Sequence, residues 1–173
     1  MKKLILLALA GAFFACSATG KTSSSPDGDK LSRRQMKELR NIERTDSLVQ
    51  SGDFYFRPYS YQIQPAGRNT QVRNVMYRMD FYPERVDIDM PYYVGITPPY
   101  RFVHLNQGIS YIGDYTLAKD GNLWTVTFSA RLFASEDYRF KLQVTPSTGN
   151  AELEISSAKG RTVSYQGIIQ GHN

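Results

Sequence analysis

Chemistry in this 173-residue chain would have to start from two histidines, one cysteine and a short run of aspartates. Asp80, Asp87 and Asp89 are the nearest approach to a carboxylate cluster. Asp87 and Asp89 share one face of a strand, and Asp80 opposes them across a turn at Pro83-Glu84. Glycosidases set two carboxylates roughly 5 Å or 6.5–9.5 Å apart, and a hard cation takes several such oxygens. Arg78 and Arg85 alternate with these acids, however, and a solvated ion-pair face is the reading we adopt. His104, among Phe102, Val103 and Leu105, reads as a core or sheet-face histidine, and His172 as a solvated one. A Ser-His-Asp or Cys-His arrangement would need His104 and has no motif around it. One cysteine and two separated histidines cannot furnish a tetrahedral zinc site. The expectation is therefore no catalytic residue, no metal and no cofactor.

Binding has better material. Pro91 to Tyr100 reads as an aromatic loop too rich in proline to pair in a sheet. In it Tyr92, Tyr93 and Tyr100, with Arg101 beside them, would offer flat apolar surface with polar tips to a protein, peptide or glycan. The alternative is that the rings fold back and cap the end of the domain. A second candidate is a stripe of cations, Arg33, Lys37, Arg40 and Arg44, recurring at helical spacing. It would face either water or anionic headgroups, where each cation is worth about 1 kcal/mol.

The cysteine has a different meaning. Lys2 and Lys3 precede an uncharged apolar run from Leu4 to Phe14, which ends at Ala15-Cys16. A membrane span needs about 20 apolar residues, so the run reads as a signal peptide. Cys16, directly after it and preceded by a small residue, resembles the lipobox cysteine of bacterial lipoproteins, although Phe13 and Phe14 depart from that motif. The alternative is ordinary cleavage nearby, for instance after Ala18. Residues 1–15 are thus a signal peptide and residues 16–30 a lipid-anchored flexible tether of Ser, Thr, Gly, Pro and Asp. Ser17 to Lys21 carries no acidic residue, which favours the periplasmic face over the cell surface. The formal charge of +5 falls by two without Lys2 and Lys3, too little to argue for nucleic acid.

The elements that position these residues follow from periodicity. Residues 31–52 form an amphipathic helix. Ser32 and Gln35 make a capping box, with Leu31 and Met36 as a hydrophobic staple. Leu31, Met36, Leu39, Ile42 and Val49 lie on its apolar face, and Gly52 stops it. Residues 53–170 form an antiparallel β domain. Phe54 and Phe56 start a strand, and Tyr59–Gln64 and Val72–Tyr82 are further strands with Gly67-Arg68-Asn69 turning between them. Val86, Ile88 and Met90 follow. Trp124, Val126, Phe128 and Ala130 alternate with small polar residues, as do Tyr138, Phe140, Leu142 and Val144 with Arg139, Lys141 and Gln143. Ala151, Leu153 and Ile155 repeat the pattern. Asp120-Gly121, Pro146 to Asn150 and Lys159-Gly160 supply the turns, so Ile109 to Ile169 is a five-stranded meander. The 12 Tyr and 9 Phe against one Trp favour strands over helices. Eight or nine strands make an antiparallel sandwich or partly closed barrel, a mainly β (α+β) fold.

From about Asp46 to Ile169 the chain resembles Bacteroidetes envelope lipoproteins with a domain of unknown function (DUF4251). The resemblance is carried by Ser51 to Phe56, Trp124 to Ala130, Tyr138 to Val144 and Ser164 to Ile169. It implies a lipid-anchored envelope protein with a short helix and a β domain, and no reaction. The functional expectation is a non-enzymatic binding or scaffolding module acting on an envelope protein, peptide or glycan. The alternative is a lipocalin-like carrier of a small apolar ligand. Large inward aromatics favour a solid core over a hollow one.

Overall fold

The computed structural model describes residues 32–95, 97–110, 112–132 and 135–172. The leader, Cys16, the tether and Leu31 lie outside the described residues. The chain order is a helix, α1 (Arg33–Ser51), then β1 (Phe54–Ile63), β2 (Thr70–Gln71), β3 (Arg78–Tyr82), β4 (Arg85–Val94) and β5 (Arg101–Ile109). β6 (Gly113–Asp120), β7 (Leu123–Arg131), β8 (Asp137–Thr145), β9 (Asn150–Ser157) and β10 (Val163–Gly171) complete it. All ten strands belong to one antiparallel sheet, ordered β5-β4-β3-β1-β10-β9-β8-β7-β6, with β2 attached to β1.

That sheet curls so that distant strands meet through their inner side chains. Phe81 of β3 lies edge-on to Phe128 of β7 at 6.0 Å, and Tyr92 of β4 edge-on to Tyr138 of β8 at 5.2 Å. The Tyr92 hydroxyl donates to Ser157 Oγ of β9 at 3.2 Å. The core is solid at these levels, filled by Phe54, Phe56, Tyr92, Tyr138, Phe140 and Tyr165, all fully buried. The curl stops short of closure, because β5 and β6 each pair on one side only.

The alternation that marks β7, β8 and β9 in the sequence is the burial alternation of the structure, and β6 to β10 form the expected meander. The first half departs from expectation in three ways. β1 runs unbroken from Phe54 to Ile63, with a bulge between Pro58 and Ser60. Of Val72 to Tyr82 only Arg78–Tyr82 is strand. The aromatic stretch is not a loop throughout: Pro91 to Val94 continue β4 and pair with Arg101 to His104 of β5. β3 pairs with β4 only from Arg85 to Asp89. Pro91 therefore lies where β4 has a single neighbouring strand, a place that tolerates a residue without an N–H.

α1 begins at the predicted capping box, where Ser32 Oγ accepts from the Gln35 N–H and Gln35 Oε1 from the Ser32 N–H. It ends at Gly52, in the left-handed conformation with φ 65°. Its apolar face is only half used. Thr45 and Val49 are buried and Leu48 packs on the core, whereas every residue from Ser32 to Arg40 is exposed, Met36 and Leu39 included. The docked half touches β1 and β10 and is clamped by polar contacts. Asn41 Nδ2 donates to the Ser147 carbonyl at 3.2 Å, and the Asp46 carboxylate accepts from Trp124 Nε1 at 2.7 Å and Lys119 Nζ at 2.6 Å.

Candidate functional site

The aromatic segment divides between core and surface. Tyr92 is fully buried, so it leaves the surface site expected of it. Burial raises its phenol above the ordinary value. Tyr93, half-buried, shares a 2.9 Å hydroxyl contact with Tyr61, and burial and that neighbour raise its phenol too. Tyr100 lies beneath the Arg161 guanidinium at 5.3 Å, and Arg101 is exposed on β5. Tyr165 donates its buried hydroxyl to the Pro91 carbonyl. Of the four residues expected at the surface, Tyr92 is buried, Tyr93 and Tyr100 are half-buried and Arg101 is exposed.

Asp80 and Asp87 do face each other across the Pro83-Glu84 turn, as register partners in β3 and β4. They are held as ion pairs: Asp80 with Arg78 Nε at 2.8 Å and Asp87 with Arg85 at 3.2 Å. Asp89 takes His104 Nε2 at 2.5 Å on the exposed sheet face. His172 is half-buried and held by partners. Nδ1 meets Asp53 at 2.7 Å, Nε2 meets Asp80 at 3.0 Å, and the ring stacks on Tyr82 at 4.7 Å. Burial alone would lower its pKa, but the bonds to the two carboxylates override that and raise it. The hydrogen-bond partners of both imidazoles are carboxylates, which makes these contacts structural clasps. Among the described residues no group of three or more His, Cys, Asp and Glu gathers as metal ligands.

A concave apolar surface lies elsewhere, at the seam the sheet leaves open. On β6 Leu117 opposes the buried Val126 of β7, and Tyr115 lies two residues before it, in the register irregularity between Gly113 and Thr116. Among the described residues no strand covers Tyr115 or Leu117, and they are 47% and 37% exposed. With Phe81, Val86 and Ile112 they floor a cleft of about 490 Å³, rimmed by Gln50, Glu84 and Ser110. Partial burial alone raises the Tyr115 phenol. The outward edge of β6 is eight residues of strand whose only ladder runs to β7, and the outward edge of β5 is nine residues paired only to β4. Among the described residues no further strand pairs with these edges. Sequence reasoning missed this site. The signal available was the short Ser110 to Ile112 connection between two strands with no partner assigned. The cations Arg33, Lys37, Arg40 and Arg44 are all exposed on α1.

Comparisons with known proteins place this architecture. The family model described as a domain of unknown function (DUF4251) matches residues 36–169. No curated protein matches the chain. A crystal structure of a DUF4251 family protein from Bacteroides eggerthii superimposes with a TM-score of 0.59 at 12% identity, over 76% of this chain and 88% of that one. At that identity the likeness is one of fold.

Proposed function

The chain belongs to the DUF4251 family, whose domain has no assigned function, and from that premise we propose that it is a non-enzymatic binding module taking an extended segment of a partner protein along its open seam. The observation that carries the reading is the pairing of two free strand edges with an uncovered apolar cleft. An added strand would hydrogen-bond to β6 through its backbone and seat alternate side chains against Tyr115, Leu117 and Phe81. In that mode main-chain bonds give affinity and pockets give specificity. A small apolar ligand in the same cleft is the second reading, favoured by the apolar floor. An internal, lipocalin-like cavity has no such support, since aromatic side chains fill the core.

The module is exported and held to the envelope through Cys16, with the periplasmic face favoured. Lys2, Lys3, the apolar run and the polar tether support this placement. Arg33, Lys37, Arg40 and Arg44 contact anionic headgroups, a role supported by the exposed first half of α1, where Met36 and Leu39 also reach solvent.

Selection of a displayed library of extended decapeptides on the full chain tests the seam. Peptides with alternating apolar residues should be enriched, and Leu117→Lys with Tyr115→Lys should abolish their capture without lowering the melting temperature. An empty selection, or capture indifferent to both substitutions, would refute the seam. A retained mass of a few hundred daltons in native mass spectrometry, displaced by the same substitutions, would favour the small ligand instead.

A further inference from the structure

The outer face of β7, β8 and β9 carries a second concavity, independent of the seam. Its side chains come in two register rows, Thr127–Lys141–Glu154 and Ser129–Arg139–Ser156. With Asp114 they line a groove of about 440 Å³, within the range of small-molecule sites. Asp114 reaches it from a register irregularity in β6, where its backbone is left-handed at φ 50° and its carboxylate accepts from Ser129 Oγ at 3.3 Å. Arg139 and Lys141, two residues apart on β8, project on the same side. Among the described residues neither makes an ion pair, although Arg131, two residues beyond Ser129 on β7, holds Asp137. Glu154 stands beside Lys141 in the register and is still not paired to it.

We infer that this groove binds an acidic sugar, a uronate-type unit of a glycan. Its carboxylate would take the planar guanidinium of Arg139 in a bidentate pair, with Lys141 adding charge. The ring hydroxyls would donate to Asp114 and Glu154 and exchange hydrogen bonds with Ser129, Ser156 and Thr127. The sign pattern selects this class. Two cations match the one carboxylate of a single uronate unit, while the two carboxylates accept from its ring hydroxyls and repel a group as densely charged as a phosphate chain. A phosphate chain meets that repulsion with no hydroxyl compensation.

Isothermal titration of the full chain in detergent with digalacturonate tests the assignment, with digalactose, inorganic phosphate and a short acidic peptide as comparators. Digalacturonate should bind and digalactose should not. Arg139→Gln should weaken binding at least tenfold with Arg139→Lys intermediate, and the exposed position should leave the melting temperature unchanged. Glu154→Gln with Asp114→Asn should weaken the sugar and admit phosphate. Absence of digalacturonate binding, an unchanged affinity in Arg139→Gln, or equal binding of phosphate by the native chain would overturn the proposal. So would equal binding of the acidic peptide, which would assign the groove to protein.

Discussion

Replacing Asp46 with alanine should loosen α1 from the sheet, by an amount the local geometry fixes. The Asp46 carboxylate accepts the indole N–H of Trp124, a residue only 6% exposed, and the ammonium of Lys119, about a third exposed. A hydrogen bond to a charged acceptor contributes about 1.5–3 kcal/mol, and a partly exposed lysine pair about 0.5 kcal/mol. The loss should be about 2–3 kcal/mol. At roughly 4 °C per kcal/mol for a domain of this size, the melting midpoint should fall by roughly 8–12 °C. Trp124 is the sole tryptophan, so its emission should shift to the red as water reaches the ring. Trp124→Phe removes the other partner, and a double-mutant cycle should return a coupling of about 1–2 kcal/mol. Burial, the largest single influence, pushes the Asp46 carboxyl up, but the two hydrogen bonds and the charge of Lys119 together hold it below its ordinary pKa. A depressed pKa gives stability that is present above the unfolded carboxylate value and lost as pH falls through the folded one. The deficit of Asp46→Ala should therefore shrink in acid. Additive effects in the cycle, with unshifted emission in Asp46→Ala, would refute the clamp.

His172 should act in the opposite direction. Its pKa is raised by Asp53 and Asp80, the latter also held by Arg78, so its contribution is complete below the ordinary histidine value and is lost as pH rises through the raised one. Urea midpoints at about pH 5.5 and about pH 9 should therefore differ more in the native chain than in His172→Gln, and an equal difference would count against the clasp. Tyr165→Phe should cost about 1–2 kcal/mol, because the Pro91 carbonyl loses its buried donor. Tyr138→Phe should stay within about 0.5 kcal/mol of the native chain, since the buried Tyr138 hydroxyl has no partner among the described residues. Burial, with Glu136 and Tyr92 nearby, pushes that phenol up to about 12. Chemical denaturation of the two variants side by side measures the contrast.

Why the meander was legible and the seam was not is a matter of local against distant information. Strands β7 to β9 bury one face each, so the alternation of Trp124 to Ala130 or Tyr138 to Val144 is written into consecutive residues. The cap at Ser32 and the stop at Gly52 are equally local. Whether Tyr115 and Leu117 are covered depends on how far β5 reaches round the curl, which no residue near them encodes. Pro91 misled because proline excludes a position with strands on both sides, and the short ladder of β3 leaves that position with one. His172 looked solvated because its clasp is made by Asp53 and Asp80, 119 and 92 residues away. Met36 and Leu39 show the converse: the helical stripe is real, but the sheet is not there to receive its first half.

The position of β1 has a mechanical consequence. β1 is not an edge strand: it lies between β3 and β10, near the middle of the strand order. In a module held at Cys16, tension from the anchor would first strain the helix clamp at Asp46. It would then pull on a strand that cannot peel away without breaking ladders on both sides. β5, at one far end of the order, stands outside that load path, whereas β6 at the other end shares in it through Lys119. The pull would meet ladders on both sides of β1 before it reached the β5 edge.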